Sequence, residues 1–314
     1  AQPRMRWVAR MAVELPEPAS EGPDPRRNRS GVPVLPTGGL VPQCSVGGLE
    51  SAHGLSRRFF ALPQRTARER GALMQPLQLL ALLAPGEPVS GAALAAQAGV
   101  TRAAIWKQVE ALRARGVPVE ARGRAGYCLP WPVQMLDAAR IRAALPSPWV
   151  RSLGMLEVHG ELDSTSSELQ RRLATAADLS VVLAESQTAG RGRRGRSWLS
   201  PPGLNLYLSC LKRFEPGFAA LSGLSLAIGV IVLRALDELG VAGAGLKWPN
   251  DVLAGASDGA RGKLAGILVE LNGEYQGPCA AIVGVGLNLR LTPALHRQAG
   301  QPACDLASLT MEAP

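Results

Sequence analysis

Four groups of residues in this chain could do chemistry: "DSTSSEL" from Asp163, "ESQTAGRGRRGRSW" from Glu185, "KWPND" from Lys247 with "GKLAGILVE" from Gly262, and "GVGLNL" from Gly284. The second is the most unusual. Within it "AGRGRRGRSW", Ala189 to Trp198, places four arginines and three glycines in ten residues. Glycine frees the backbone to wrap, and guanidinium groups present fixed, forked donors for phosphate or carboxylate. The segment therefore reads as a loop that closes over an anion. A competing reading, an Arg/Gly segment binding nucleic acid, does not account for the other three groups. Gly284-Val285-Gly286 is weak on its own, because close packing in a strand explains it equally well and the helix of a dinucleotide fingerprint is missing. No Walker lysine motif, Gly-x-Ser-x-Gly elbow or His-Glu-x-x-His occurs. Of three histidines only His159 falls among the strands of this region, so histidine base catalysis is not expected.

These groups need elements to hold them, and the composition allows a core. The 314 residues leave room for two domains, and 46% are hydrophobic. A formal net charge of +9 predicts attraction to polyanions without separating nucleic acid from nucleotide or acidic protein. Cys44, Cys128, Cys210, Cys279 and Cys304 lie far apart with no Cys-x-x-Cys pair and no histidines placed to complete a zinc site. They read as reduced thiols in a cytoplasm. The most apolar run, Ala219 to Leu233, meets Arg234 short of the roughly 20 residues a bilayer span needs, so a buried helix is expected and no membrane partner.

Apolar segments suited to strands alternate with helical ones from about Pro146: "MLEVHGEL", a helix from Ser164, "SVVLAES", the arginine loop, "LNLYLSCL", a long helix over 219–239, "GLKWP", "KLAGILVEL" and "CAAIVGVGLNLR". The pattern predicts an α/β or α+β sheet covered by helices.

Ahead of it, from Met74, stand three short helices: "LQLLALLA", then "GAALAAQA" capped by Ser90 and stopped at Gly99, then "RAAIWKQVEALRARG" capped by Thr101 and ended by Gly116. Ile105, Val109 and Leu112 share one face, which leaves Arg102, Trp106 and Lys107 on others. "VPVEARGRAGYCL" reads as two short strands around a turn that carries Arg122 and Arg124. The unit over 74–135 is thus expected to be a winged helix-turn-helix that contacts DNA, the plainer alternative being a helical packing domain without a ligand. A Pro-rich join and a short helix around Asp137 to Leu145 lead to the second domain, over 146–314. Residues 1–73, rich in Pro, Gly and Arg and without a sustained apolar period, are expected to be a disordered leader or a non-native extension.

From about Met74 onward these residues, in order and spacing, closely resemble the bacterial family of bifunctional biotin protein ligases and biotin operon repressors. "GRGRRGR", "KWPND" and "KLAGILVE" carry the resemblance, and the winged helix fits the repressor branch. It implies a class II synthetase-like catalytic domain with a mixed sheet. It also implies that biotin and ATP are joined to biotinyl-5′-AMP, after which biotin passes to a lysine of a biotin carboxyl carrier protein. A carboxylate and an α-phosphate must be neutralised before they meet, and preorganised cations and N–H groups do this.

By the resemblance, Ser164, Thr165 and Gln187 line the biotin pocket. Ser166 stands where the family usually has Asn. Gly190, Arg191, Gly192, Arg193, Arg194 and Arg196 form a mobile loop that folds over the adenylate, with Arg193 on the phosphate and Trp198 and Asn205 near adenine. Lys263 bridges biotin carboxylate and α-phosphate. Lys247, Asn250 and Asp251 face the ATP phosphates and their magnesium, Asp251 being the one metal-side carboxylate. Gly266, Gly284 and Gly286 let backbone approach the ligand, and Asn288 reaches the nucleotide. Operator DNA and a homodimer formed when adenylate is bound are the further partners implied. Lipoate ligases share the distant fold, but the arginine loop argues for biotin. Family members continue past "GVGLNL" with more helices and a small SH3-like barrel, so a C-terminal truncation is expected. A regulator that senses biotin or its adenylate without effective ligation is the alternative.

Overall fold

The computed structural model describes residues 75–215, 217–255 and 261–310; the leader read over 1–73 lies outside the described residues. The first helices form where the caps allow them. Helix α1 spans Pro76–Leu83, α2 Gly91–Ala98 and α3 Arg102–Ala114. Ser90 Oγ accepts the backbone N–H of Ala93, and Thr101 Oγ1 that of Ala104, so each satisfies a donor that the helix start leaves orphaned. Gly99, at φ 66°, closes α2 in the left-handed conformation that favours glycine. Leu79, Leu80, Leu83, Leu94, Ile105, Val109 and Leu112 bury together between the three helices.

Strands β1 (Glu120–Ala121) and β2 (Tyr127–Cys128) pair antiparallel across a turn at Gly123–Ala125 and complete the wing. Arg102, Trp106, Lys107, Arg122 and Arg124 are all exposed, on α3 and the wing. The winged helix-turn-helix therefore stands as the sequence indicates, with its basic residues facing outward.

After α4 (Ala138–Ala144), capped by Asp137, and α5 (Ser147–Ser152), the second domain begins. Its strands among the described residues are β3 (Met155–Leu162), β4 (Ser180–Gln187), β5 (Leu206–Phe214), β6 (Gly245–Lys247), β7 (Asp251–Gly255), β8 (Arg261–Gly273) and β9 (Cys279–Leu287). They form one sheet in the order β3-β4-β5-β9-β8-β7-β6, parallel only between β3 and β4. Helix α6 (Thr165–Arg171) packs on one face against β4, β5 and β9; α7 (Leu224–Glu238) packs on the other against β6, β7 and β8. Alternation along β9 shows why. Val283, Val285 and Leu287 join the core under α7, and Gly284 and Gly286 point to the α6 face.

The long helix read over 219–239 is α7, Leu224–Glu238, preceded by a tighter turn over Phe218–Leu221. With the turn before α7, Phe218–Glu238 is 21 residues and apolar enough to cross a membrane by length and composition. Length therefore does not exclude a span, yet Ile228, Ile231, Val232, Ala235 and Leu236 bury against the sheet. Two short helices, α8 (Pro293–Gln298) and α9 (Leu306–Leu309), follow β9 and were not foreseen. Cys128, Cys210, Cys279 and Cys304 are free thiols.

Candidate functional site

The cavity of interest lies on the α6 face, at the ends of β4, β5, β8 and β9 and beneath the arginine loop. Its lining includes Ser164, Thr165, Ser166, Gln187, Arg191, Gly192, Arg193, Arg196, Trp198, Asn250, Lys263, Gly266, Gly284 and Gly286. Residues from all four sequence groups thus meet in one place, although some 120 positions separate the first from the last.

One end of the cavity is neutral and built from hydroxyls. Thr165 donates its backbone N–H to Gln187 Oε1 at 2.9 Å, and its Oγ1 lies 2.8 Å from Ser209 Oγ, which is also 2.9 Å from Ser166 Oγ. Gln187 Nε2 donates to Ser200 Oγ at 3.0 Å. Ser209 is fully buried in β5, and the sequence reading missed it. A lone serine in the apolar run "LNLYLSCL" was the available signal, because a buried hydroxyl needs partners. Ser164 occupies the N-cap position of α6, but its side chain makes no capping bond. Asp163 orders this end from outside: Arg171 grips its carboxylate at 2.8 and 2.9 Å, and Ser164 N–H donates to it at 2.7 Å. Those bonds, the Arg171 one foremost, hold the Asp163 carboxyl down at about 2.

The other end is charged. Lys263 Nζ stands 2.8 Å from Asp251 Oδ1 and 5.2 Å from the Trp198 ring centroid, with the lysine side chain 12% exposed. A one-residue irregularity puts it there. Asp251, Val252 and Leu253 of β7 pair with Gly266, Ala265 and Lys263, so Leu264 is extra. Leu264 and Ala265 are consequently both buried under α7, and Lys263 shares the cavity face with Gly266. Without this bulge the two-residue period would turn Lys263 to the other face.

The arginine loop is a small hairpin flap. Trp198 N–H donates to Gly190 O, Gly192 N–H donates to Arg196 O, and Arg194 (φ 56°) and Gly195 (φ 73°) make the left-handed tip. Arg193 Nη1 donates to Asn250 Oδ1 at 3.1 Å; Asn250 Nδ2 in turn donates to Ile267 O at 2.9 Å. Arg191 Nη2 donates to Glu270 Oε2 at 2.7 Å.

Several expected contacts are arranged differently. The glycines admit side chains: a Cβ on Gly286 would come 2.4 Å from Trp198 Cε2, one on Gly266 2.8 Å from Trp198 Cζ3, and one on Gly284 2.8 Å from Ser166 Oγ. Gly190 sits at the loop base, where a Cβ would lie 2.6 Å from Trp198 O. Asn205 is buried and accepts the backbone N–H of Leu289 at 2.9 Å. Asn288 donates to the backbone oxygens of Lys263 at 3.0 Å and Cys304 at 3.2 Å. The structure therefore brings neither asparagine to the cavity wall; both fix backbone, and Asn288 fixes that of Lys263. Lys247 is exposed at the end of β6, paired in register with Asp251. Arg194, at the loop tip, lies outside the main cavity. Ala299, Gly300 and Gln301 supply a wall that no motif announced.

Comparison with known proteins agrees with this geometry. The biotin/lipoate A/B protein ligase family matches residues 160–288, and an HTH domain matches residues 77–128. A bifunctional ligase/repressor BirA from Bacillus subtilis is 31% identical over 226 residues, which cover 71% of this chain and 67% of that protein. The chain belongs to the BirA family of bifunctional ligase/repressors. BirA proteins of Salmonella typhimurium and Escherichia coli are 44% and 43% identical over 216 residues, 69% of this chain. The chain spans 64% of the length of those two BirA relatives. The two regions matched in this BirA-family chain are the winged helix and the sheet domain that carries the cavity.

Proposed function

We propose that this chain joins biotin to ATP as biotinyl-5′-AMP, transfers biotin to a lysine of a carboxyl carrier protein, and binds operator DNA through its winged helix. The observation that carries the reading is the polarity of the cavity: hydroxyls and an amide at one end, Lys263 and Arg193 at the other. Biotin's ureido ring both donates and accepts hydrogen bonds, which suits Thr165, Ser166, Ser209 and Gln187. Its carboxylate would then point toward Lys263.

In the first step the carboxylate oxygen attacks the α-phosphorus and pyrophosphate leaves. Lys263, a compact cation beside the aromatic face of Trp198, lowers the repulsion between the two anions. Arg193, aimed by Asn250, holds the phosphate, and the flap keeps water from the mixed anhydride. In the second step the carrier's lysine amine attacks the acyl carbon and AMP leaves. Magnesium would arrive as part of the nucleotide substrate. No cluster of three metal-ligating side chains occurs among the described residues, and Asp251, paired with Lys263, is the carboxylate that would face the ion. Exposed Arg102, Lys107, Arg122 and Arg124 would contact DNA phosphates and bases, with Trp106 beside them. A homodimer of the adenylate-bound form would present two such helices to two half-sites.

Biotin-dependent exchange of labelled pyrophosphate into ATP isolates the first step. Exchange is expected from the full chain and is expected to fall by about 100-fold or more in Lys263→Ala, on the order of 3 kcal/mol of lost transition-state stabilisation. A folded chain without exchange would leave biotin-sensing regulation as the better reading.

A further inference from the structure

Glu270 is a carboxylate beneath the arginine loop, beside the cavity proposed to bind an anion, and the proposed reaction has no use for it. It lies on β8 beneath the loop, 27% exposed, and pairs with Arg191 at 2.7 Å. A negative charge beside an anion site opposes binding unless something offsets it. Here the offset is visible, because Arg191 is the loop arginine that takes the carboxylate. Among the described residues Arg193, Arg194 and Arg196 form no ion pair, so three cations stay available.

We infer that Glu270 is a positioning residue that latches the arginine flap over the cavity through Arg191. The flap has two tethers on the sheet side. Arg193–Asn250 is a neutral-acceptor bond, which a phosphate would compete for; Arg191–Glu270 is outside the hydroxyl and lysine ends and can persist when ligand is bound. An exposed ion pair contributes little to global stability, but a short flap held by a few backbone bonds and two side-chain tethers needs no more than that to change its open fraction several-fold. The inference rests on the proposed ligase reading only for its consequence, retention of the adenylate.

The flap carries its own reporter, because trypsin cuts after arginine and four arginines lie on it. On the full chain at low salt, Glu270→Gln should raise the cleavage rate within 191–196 about 2- to 5-fold over wild type. That ratio should fall toward one at 1 M salt, where the ion pair is screened. The double exchange Arg191→Glu with Glu270→Arg should restore protection at Arg193, Arg194 and Arg196, and each single exchange should lose it. Equal cleavage of wild type and Glu270→Gln at low salt would overturn the latch. So would a double exchange as susceptible as the single ones while its thermal unfolding matches wild type. Where pyrophosphate exchange is present, Glu270→Gln should release adenylate 2- to 5-fold faster with kcat for exchange unchanged. Where it is absent, the proteolysis arm still decides the latch.

Discussion

Asp163 shows how a residue outside the cavity sets one inside it. Its carboxylate receives two guanidinium N–H groups from Arg171 and the backbone N–H of Ser164, so the turn that delivers Ser164, Thr165 and Ser166 is held by a charge. With the folded pKa at about 2 against an ordinary 3.8, the carboxylate contributes stability that is complete above pH 4 to 5 and is lost as pH falls toward 2. The expected midpoint of the Asp163 side-chain carboxyl signal in an NMR titration is thus near 2, and Arg171→Ala should move it back up toward 3.8. An unmoved midpoint would mean that Arg171 is not the cause. Thr165, Gln187, Arg193 and Lys263, singled out through the family resemblance of their motifs, all line the cavity. The sequence did not reveal Ser209, whose role depends on which strand lies beside α6, or the true positions of Asn205 and Asn288. An asparagine bonding to backbone and one facing a ligand look alike until the neighbouring chain is known.

At the scale of elements, the alternation of β8 and β9 was legible and its interruption was not. The strands "KLAGILVEL" and "CAAIVGVGL" read correctly from their apolar pattern, whereas the extra Leu264 is set by pairing with β7, a short strand absent from the sequence reading. The same limit applies to the glycines. Gly266 and Gly286 are neighbours across β8 and β9, and together they make the shelf on which Trp198 lies. A methyl group on Gly286 has no space, since the atoms it would meet belong to a rigid indole at 2.4 to 2.7 Å. Gly286→Ala should therefore cost about 1–3 kcal/mol in urea unfolding, or else expel Trp198 and open the flap, which raises tryptic cutting within 191–196. Unchanged stability together with an unchanged flap would show that the shelf is not needed. The helices α8 and α9 went unseen because each is too short for a period to show.

The two domains meet at several points that no linear reading could supply. Thr292 Oγ1 donates to Gly116 O at 3.4 Å, a Cβ on Gly203 would come 2.8 Å from Leu80 Cδ2, and the Arg290 guanidinium stacks 4.3 Å from the centroid of Trp131 in the join. Arg115, directly after the exposed α3, reaches furthest. Its Nη2 contacts Glu161 of β3 at 2.5 Å and also Ser186 Oγ, while that same serine lies 3.1 Å from Ser200 O at the foot of the flap. Gln187 follows Ser186 in β4, so the residue that ends α3 reaches to within one position of the hydroxyl end of the cavity. Such partly exposed contacts contribute at most ~1 kcal/mol to global stability. Arg115→Ala should leave the unfolding midpoint nearly unchanged and accelerate hydrogen exchange locally, at Gly116–Val117 and at 186–200, with the core amides of β5 and β9 unaffected. Faster exchange on both sides of the contact is expected only if Arg115 holds them together. Faster exchange at 116–117 alone would assign the docking to Thr292 and Leu80, and would leave helix and cavity without a direct bond between them.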